Sequence, residues 1–237
     1  MRKLLFFTFV ALFFLGCSNS DDMPCFTCDY NIVHSSSSFY SSSSSSFFSS
    51  SSLDLSSSSS EYLGSCNAED YRTIDINGQI WMARNWDCYV PGSRCYGDNP
   101  ANCAQYGRLY NWSIAMDIGE RYNNQLWGGS DVNHKGICPS DWHIPSDAEW
   151  TELTDFVGIN AGVKLTSWNS YRFAALPGGY GASYSGFFGI GYYGSWWSST
   201  EDDSEYARGR NMSYNNEDVG RSYYSKRFLF SVRCLHD

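Results

Sequence analysis

Gly189-Ile190-Gly191-Tyr192-Tyr193-Gly194 spells the glycine pattern that cradles a dinucleotide pyrophosphate. That chemistry needs a strand before the glycines and a helix N-terminus after them, so that backbone N–H groups face the phosphates. Here the glycines run into Trp196-Trp197-Ser198-Ser199-Thr200, a strand-like stretch, so they read as a loop and no cofactor is expected. Glu201, Asp202, Asp203 and Glu205 carry oxygen ligands for Ca²⁺ but lack the EF-hand spacing, and they read as a solvated turn rather than a metal site. His134, His143 and His236 do not cluster in sequence, and neither a metal triad nor a serine triad can be built from them. No residue context singles out a carboxylate pair for glycoside hydrolysis. Non-covalent contact remains. Along residues 206–214, Tyr206, Arg208, Arg210, Met212 and Tyr214 alternate onto one strand face, with Asn211, Asn215, Asn216 and Tyr223 nearby in sequence. Flat rings beside amide and guanidinium groups are the mixture a sugar or peptide contact uses. The competing expectation is that the tyrosines pack across strands and the arginines pair with Glu217 and Asp218.

Nine cysteines carry the remaining chemistry. Cys17 follows Leu15 and Gly16 at the end of a short address: Arg2 and Lys3, then an apolar run over residues 4–15. The run is too short for the ~20 residues of a membrane-spanning helix. It resembles the bacterial lipoprotein signal, in which the cysteine is acylated and becomes the new N-terminus, and Ser18 with Asp21 and Asp22 resembles outer-membrane and surface sorting signals. The resemblance implies a signal peptide over residues 1–16 and a bilayer partner engaged through Cys17. Residues 17–65 then form a tether, because 19 of the 26 residues from 35 to 60 are serine and cannot repay their ordering entropy. As a flexible coil that serine tract spans about 28 Å.

Setting Cys17 aside leaves eight cysteines, an even number in an exported chain, which makes disulfides the default. Cys25 and Cys28 have redox-pair spacing but no strand and helix around them, and zinc would find only His34 as a third ligand. Residues 71–76 and 79–83 are β-type runs flanking Asn77-Gly78, a two-residue hairpin turn. In that register partner numbers sum to 155, one more than those of Cys66 and Cys88, so these two meet beyond the hairpin's open end. Cys95 and Cys103 enclose a Pro, Asn and Gly loop suited to a local staple, which leaves Cys138 for Cys234.

The elements that position these groups occupy residues 66–237. This stretch of 172 residues holds 30 aromatic residues, material for one good core and hardly length for two. Its 14 Lys plus Arg against 20 Asp plus Glu argue against a nucleic-acid partner. Residues 106–118 are expected to form one helix. A second is marked by the capping box Ser146 and Glu149, the apolar spacing of Trp150, Leu153 and Val157, and the stop Gly158. Strands are expected over residues 206–214, 219–224 and 227–235, the last with Phe228, Phe230, Val232 and Cys234 inward and Leu229, Ser231 and Arg233 on a partly wet face. Of Trp196 and Trp197, alternation places one inward, so at least one belongs to the core. Two helices followed by a meander make an α+β plan.

Ile80-Trp81-Met82-Ala83-Arg84-Asn85, Tyr106-Gly107-Arg108-Leu109-Tyr110-Asn111-Trp112, Gly136-Ile137-Cys138-Pro139, Trp142-His143-Ile144-Pro145-Ser146, Ala175-Leu176-Pro177-Gly178-Gly179-Tyr180, Trp196-Trp197-Ser198-Ser199-Thr200 and Phe230-Ser231-Val232-Arg233-Cys234 stand in the order of the Fibrobacter succinogenes major paralogous domain, which residues 66–237 resemble. That family is similar to the C-type-lectin-like fold used by the formylglycine-generating enzyme. The resemblance implies two helices beside a twisted antiparallel sheet with the domain's ends close together, and it implies no established reaction. The oxygen chemistry of the related enzyme needs a reactive cysteine pair, which residues 66–237 lack once their disulfides are formed. The expectation is therefore a non-catalytic, surface-anchored module for an extracellular polysaccharide, in keeping with the family's fibre-degrading namesake. A protein-recognition receptor of a diversified set and a polysaccharide-acting enzyme are the alternatives.

Overall fold

Asn77 and Gly78 turn the chain with positive φ at both positions (57° and 82°), the geometry that suits the strand twist of a hairpin. The hairpin joins β1 (Thr73–Ile76) to β2 (Gln79–Met82) in the expected register, Ile74 opposite Trp81. The structure, a computed structural model, describes residues 63–129, 133–166, 171–182 and 186–237. The chain separates after Leu55 into two units, and all described residues belong to the second. The segment expected as a signal peptide, Cys17, Cys25, Cys28 and the serine tract lie outside the described residues.

The described residues form a mixed α+β arrangement. Helices α1 (Pro100–Tyr106) and α2 (Trp112–Ala115) precede β3 (Trp142–His143), α3 (Asp147–Val157) and α4 (Ala161–Thr166). Strands β4 (Tyr180–Ala182), β5 (Gly186–Phe188), β6 (Tyr193–Glu201), β7 (Tyr206–Ser213), β8 (Gly220–Ser225) and β9 (Leu235–His236) follow. They build a sheet of order β1-β2-β9-β3, a β4-β5 pair and a β6-β7-β8 meander, all antiparallel. The last strand thus lies between β2 and β3, which brings the two ends of the domain together. Three bridges hold this arrangement, Cys66–Cys88, Cys95–Cys103 and Cys138–Cys234.

Helix α3 starts where its capping box predicts: the Ser146 side chain accepts from the Glu149 N–H, and Glu149 accepts from the Ser146 N–H in return. Of the helix expected over residues 106–118, only α2 (Trp112–Ala115) forms, while α1 ends at Tyr106. Gly107 ends α1 with φ 83°, and a Cβ there would sit 2.7 Å from Asn85 Cβ and 2.9 Å from Trp86 O. Residues 108–110 run extended because Leu109 exchanges backbone bonds with Arg94, and Tyr110 with Phe230.

Trp196 and Trp197 are both fully buried, one in each of two cores on opposite faces of the meander. Trp197 joins Trp86, Tyr110, Trp112, Phe230 and Val232, whereas Trp196 joins Trp81, Trp150, Leu153, Phe173 and Met212. Residues 227–235 depart from expectation too. Leu229, Ser231 and Arg233 are buried like their neighbours, because Leu229 pairs with Gly181 and Ser231 with Ser195 while β9 lies between two strands. Among the described residues, no carboxylate pairs with Arg233. Its guanidinium donates to Asn85 Oδ1 and to the carbonyls of Met82, Phe173 and Ala174, and burial pushes its pKa down to about 9.

Candidate functional site

The β6-β7-β8 meander sorts its side chains by register. Ser195 lies opposite Asn211 and Tyr224 opposite Ala207, so Tyr193, Ser195, Asn211 and Tyr224 share the face that also carries Trp197. Tyr180 from β4, with Phe228 and Phe230 from the segment after β8, completes an open cleft of about 390 Å³. Phe230 is its buried hub, stacked on Trp197 at 4.4 Å and met by Tyr224 at 5.0 Å and 72°. Tyr180 stands edge-on to Phe230 at 6.2 Å, and Phe228 and Phe188 lie at 6.2 and 5.6 Å from the Tyr180 ring. Tyr193 is half-exposed. The polar atoms are few. Asn211 Nδ2 donates to the Tyr224 hydroxyl, for which Gly220 opposite leaves room: a Cβ there would fall 2.3 Å from Asn211 Oδ1. Ser195 is 5 % exposed, and its hydroxyl has no hydrogen-bond partner among the described residues.

The residues anticipated from the sequence are dispersed. Tyr206, Arg208, Arg210 and Tyr223 lie on the opposite face of the meander, with Trp196, while Asn211 alone enters the cleft. Tyr206 and Tyr223 meet edge-on at 5.7 Å, and Arg208 lies over Tyr223 while bridging Asp202 at 2.5 Å. Tyr214, exposed past the end of β7, contacts Tyr192. Asn216 is exposed, with its side chain accepting from the Asp218 N–H.

Arg210 is the clear correction: it is 2 % exposed, bridges Asp147 at 2.8 Å, and donates to Asp147 O and Thr151 Oγ1, which pins the first turn of α3 to the sheet. The arginines thus pair with Asp202 and Asp147 rather than with Glu217 and Asp218. Tyr180, Tyr193, Ser195, Tyr224, Phe228 and Phe230 were not anticipated as a site. Alternation puts Tyr193 and Ser195 together, and likewise Phe228 and Phe230, but only the hairpin register sets the first pair beside Asn211.

Two clusters of titratable groups are committed internally. His143, 2 % exposed, holds Asp237 Oδ1 at 2.7 Å through Nδ1 and Glu149 Oε1 at 2.9 Å through Nε2. Burial alone would lower the imidazole's pKa, but the hydrogen bonds and charges of Glu149 and Asp237 outweigh it and raise the value. Glu149 moves the other way: burial would raise its pKa, yet His143 and the Ser146 N–H together lower it. Both ring nitrogens are occupied and Ser146 Oγ donates to Glu149, so this cluster is a clasp rather than a nucleophile with its base. Within the acidic stretch, Glu201 accepts from Lys226 and from the N–H groups of Trp127 and Gly128, and Asp203 accepts from the N–H groups of Glu205 and Tyr206. Gly189 and Gly191 take positive φ in the loop before β6.

A family model described as the Fibrobacter succinogenes major domain matches residues 74–236. No curated protein matches the chain. No solved structure matches it either.

Proposed function

The chain belongs to the Fibrobacter succinogenes major domain family, and from that premise we propose that it is a lipid-anchored surface protein presenting a non-catalytic carbohydrate-binding module of C-type-lectin-like fold. One observation carries the binding reading: a cleft open to solvent whose wall is mostly aromatic, with an amide and a serine hydroxyl that has no partner among the described residues at its sheet face. Aromatic rings offer flat faces to the C–H faces of a pyranose, and a few polar atoms set its orientation. The enclosure of β9 by β2 and β3 supports the fold reading, because it joins the domain's ends as the C-type-lectin-like plan requires. For the anchor, the support is the apolar run ending in Leu15-Gly16-Cys17.

Retention of the purified protein on insoluble and soluble polysaccharides tests the reading. A stacked ring contributes about 0.5–1.5 kcal/mol beyond its buried area. Tyr193→Ala is therefore expected to weaken binding about tenfold, one decade being 1.4 kcal/mol. Because Tyr193 is half-exposed, its unfolding midpoint should hardly move. Absence of retention on every polysaccharide, or retention that Tyr193→Ala leaves intact, removes the proposal.

A further inference from the structure

Among the described residues, the cleft lining carries no charge. Tyr180, Tyr193, Ser195, Asn211, Tyr224, Phe228 and Phe230 line it, with no Asp, Glu, Lys or Arg among them. The arginines and carboxylates of the same meander are elsewhere: Arg208 and Arg210 point from the other face, and Glu201 is held by Lys226. From this we propose that the cleft takes a neutral glycan, recognised through hydroxyl groups, and turns away uronate, sulfated and other anionic polymers. The inference rests on the carbohydrate reading above and specifies its ligand class.

Two physical arguments carry it. An anionic sugar entering among Tyr180, Phe228 and Phe230 would surrender hydration with no cation among the described lining residues to replace it, and a buried unpaired charge is among the most unfavourable groups a site can hold. A neutral pyranose has no such penalty, and its hydroxyls match what the cleft offers. Ser195 Oγ has no partner among the described residues. The Tyr224 oxygen accepts from Asn211, which leaves its own proton to donate, and Asn211 Oδ1 remains an acceptor beside it. Donor and acceptor thus stand side by side at the sheet face, the pairing that adjacent sugar hydroxyls require.

The experiment compares binding of the intact protein to hydroxyethyl-cellulose, arabinoxylan and galactomannan with binding to carboxymethyl-cellulose, polygalacturonate and alginate. Each is measured in about 0.1 M and about 1 M salt, where the screening length falls from about 10 Å to about 3 Å. Expected are retention on at least one neutral polymer, an affinity unchanged by salt, a tenfold or larger preference over the anionic polymers, and a loss of about tenfold in both Tyr193→Ala and Ser195→Ala. Ser195→Ala removes one oxygen, so it keeps the comparison valid if Tyr193→Ala fails to fold. Tyr193-dependent, salt-sensitive binding to the anionic polymers alone would overturn the neutral-ligand inference while leaving the carbohydrate reading in place. Binding to any of the six that neither substitution alters would remove the cleft as the site, and binding to none would remove both readings.

Discussion

Asn85 is where the two cores of the domain are tied together, and replacing it with Leu isolates what that tie is worth. Its side chain is nearly inaccessible at 3 % exposure. The Oδ1 atom accepts from Trp196 Nε1 at 2.8 Å and from Arg233 Nη2 and Nε at 2.7 and 3.2 Å, while Nδ2 donates to Tyr106 O at 2.8 Å. Leucine fills similar space but offers no acceptor. Arg233 Nη2 would keep Ala174 O, whereas Arg233 Nε and the Trp196 indole N–H would be left without a partner in a fully buried setting. An orphaned buried donor costs about 1–3 kcal/mol and a charged one more, so Asn85→Leu should destabilise the domain by about 3–5 kcal/mol. At roughly 2–4 °C per kcal/mol for this size, the melting midpoint should fall by on the order of 10 °C. Urea titration under non-reducing conditions measures it. A Leu variant within ~1 kcal/mol of the parent would refute the reasoning, since polar satisfaction would then not be what Asn85 supplies.

Three further outcomes are expected. Cys138 and Cys234 are separated by 96 residues and Cys95 and Cys103 by 8, so opening the first bridge by paired Ser substitution should cost ~4–5 kcal/mol against ~2–3 kcal/mol for the second in the chain-entropy model; equal losses in denaturant titration would contradict this. The His143 clasp should shape the pH profile of stability. Its folded pKa is raised above 6.5, so its contribution is complete below that value and disappears as pH rises through the folded pKa, whereas the lowered pKa of Glu149 makes that group's contribution fade as pH falls from about 4.5. Stability is therefore expected to peak in mildly acidic solution, and His143→Gln should flatten the alkaline limb; an unchanged slope in the variant would show that the clasp does not titrate. Finally, Cys17→Ser should move the protein from the membrane fraction to the soluble one, and unaltered fractionation would end the lipid-anchor reading.

The local chemistry of the chain was readable without coordinates wherever short-range geometry decides. Asn77-Gly78 set the hairpin and its register, Ser146 with Glu149 started α3, and cysteine spacing along those elements led to the three bridges. Each of these signals acts within a few residues or follows from a turn of defined length, so tertiary packing has little freedom to override it. Packing decided the rest. Gly107 interrupts a run of helix-compatible residues because Asn85 and Trp86 come too close for a Cβ, a contact from over twenty residues away. Arg233, placed on a partly wet face by alternation, is buried because Asn85 and the carbonyls of Met82, Phe173 and Ala174, from distant parts of the chain, close around its guanidinium. The face singled out by alternation and the one that carries the open cleft differ for a related reason. Period-two alternation groups Tyr206, Arg208 and Arg210 correctly, but it cannot say which side of the meander α3 will cover. Asp147 and Thr151 on that helix take up Arg210, and the opposite side, where Asn211 meets Ser195, Tyr224 and the Phe230 hub, is left with the open cleft. Alternation is a property of one strand, whereas the choice of the buried side depends on which elements later pack against the sheet.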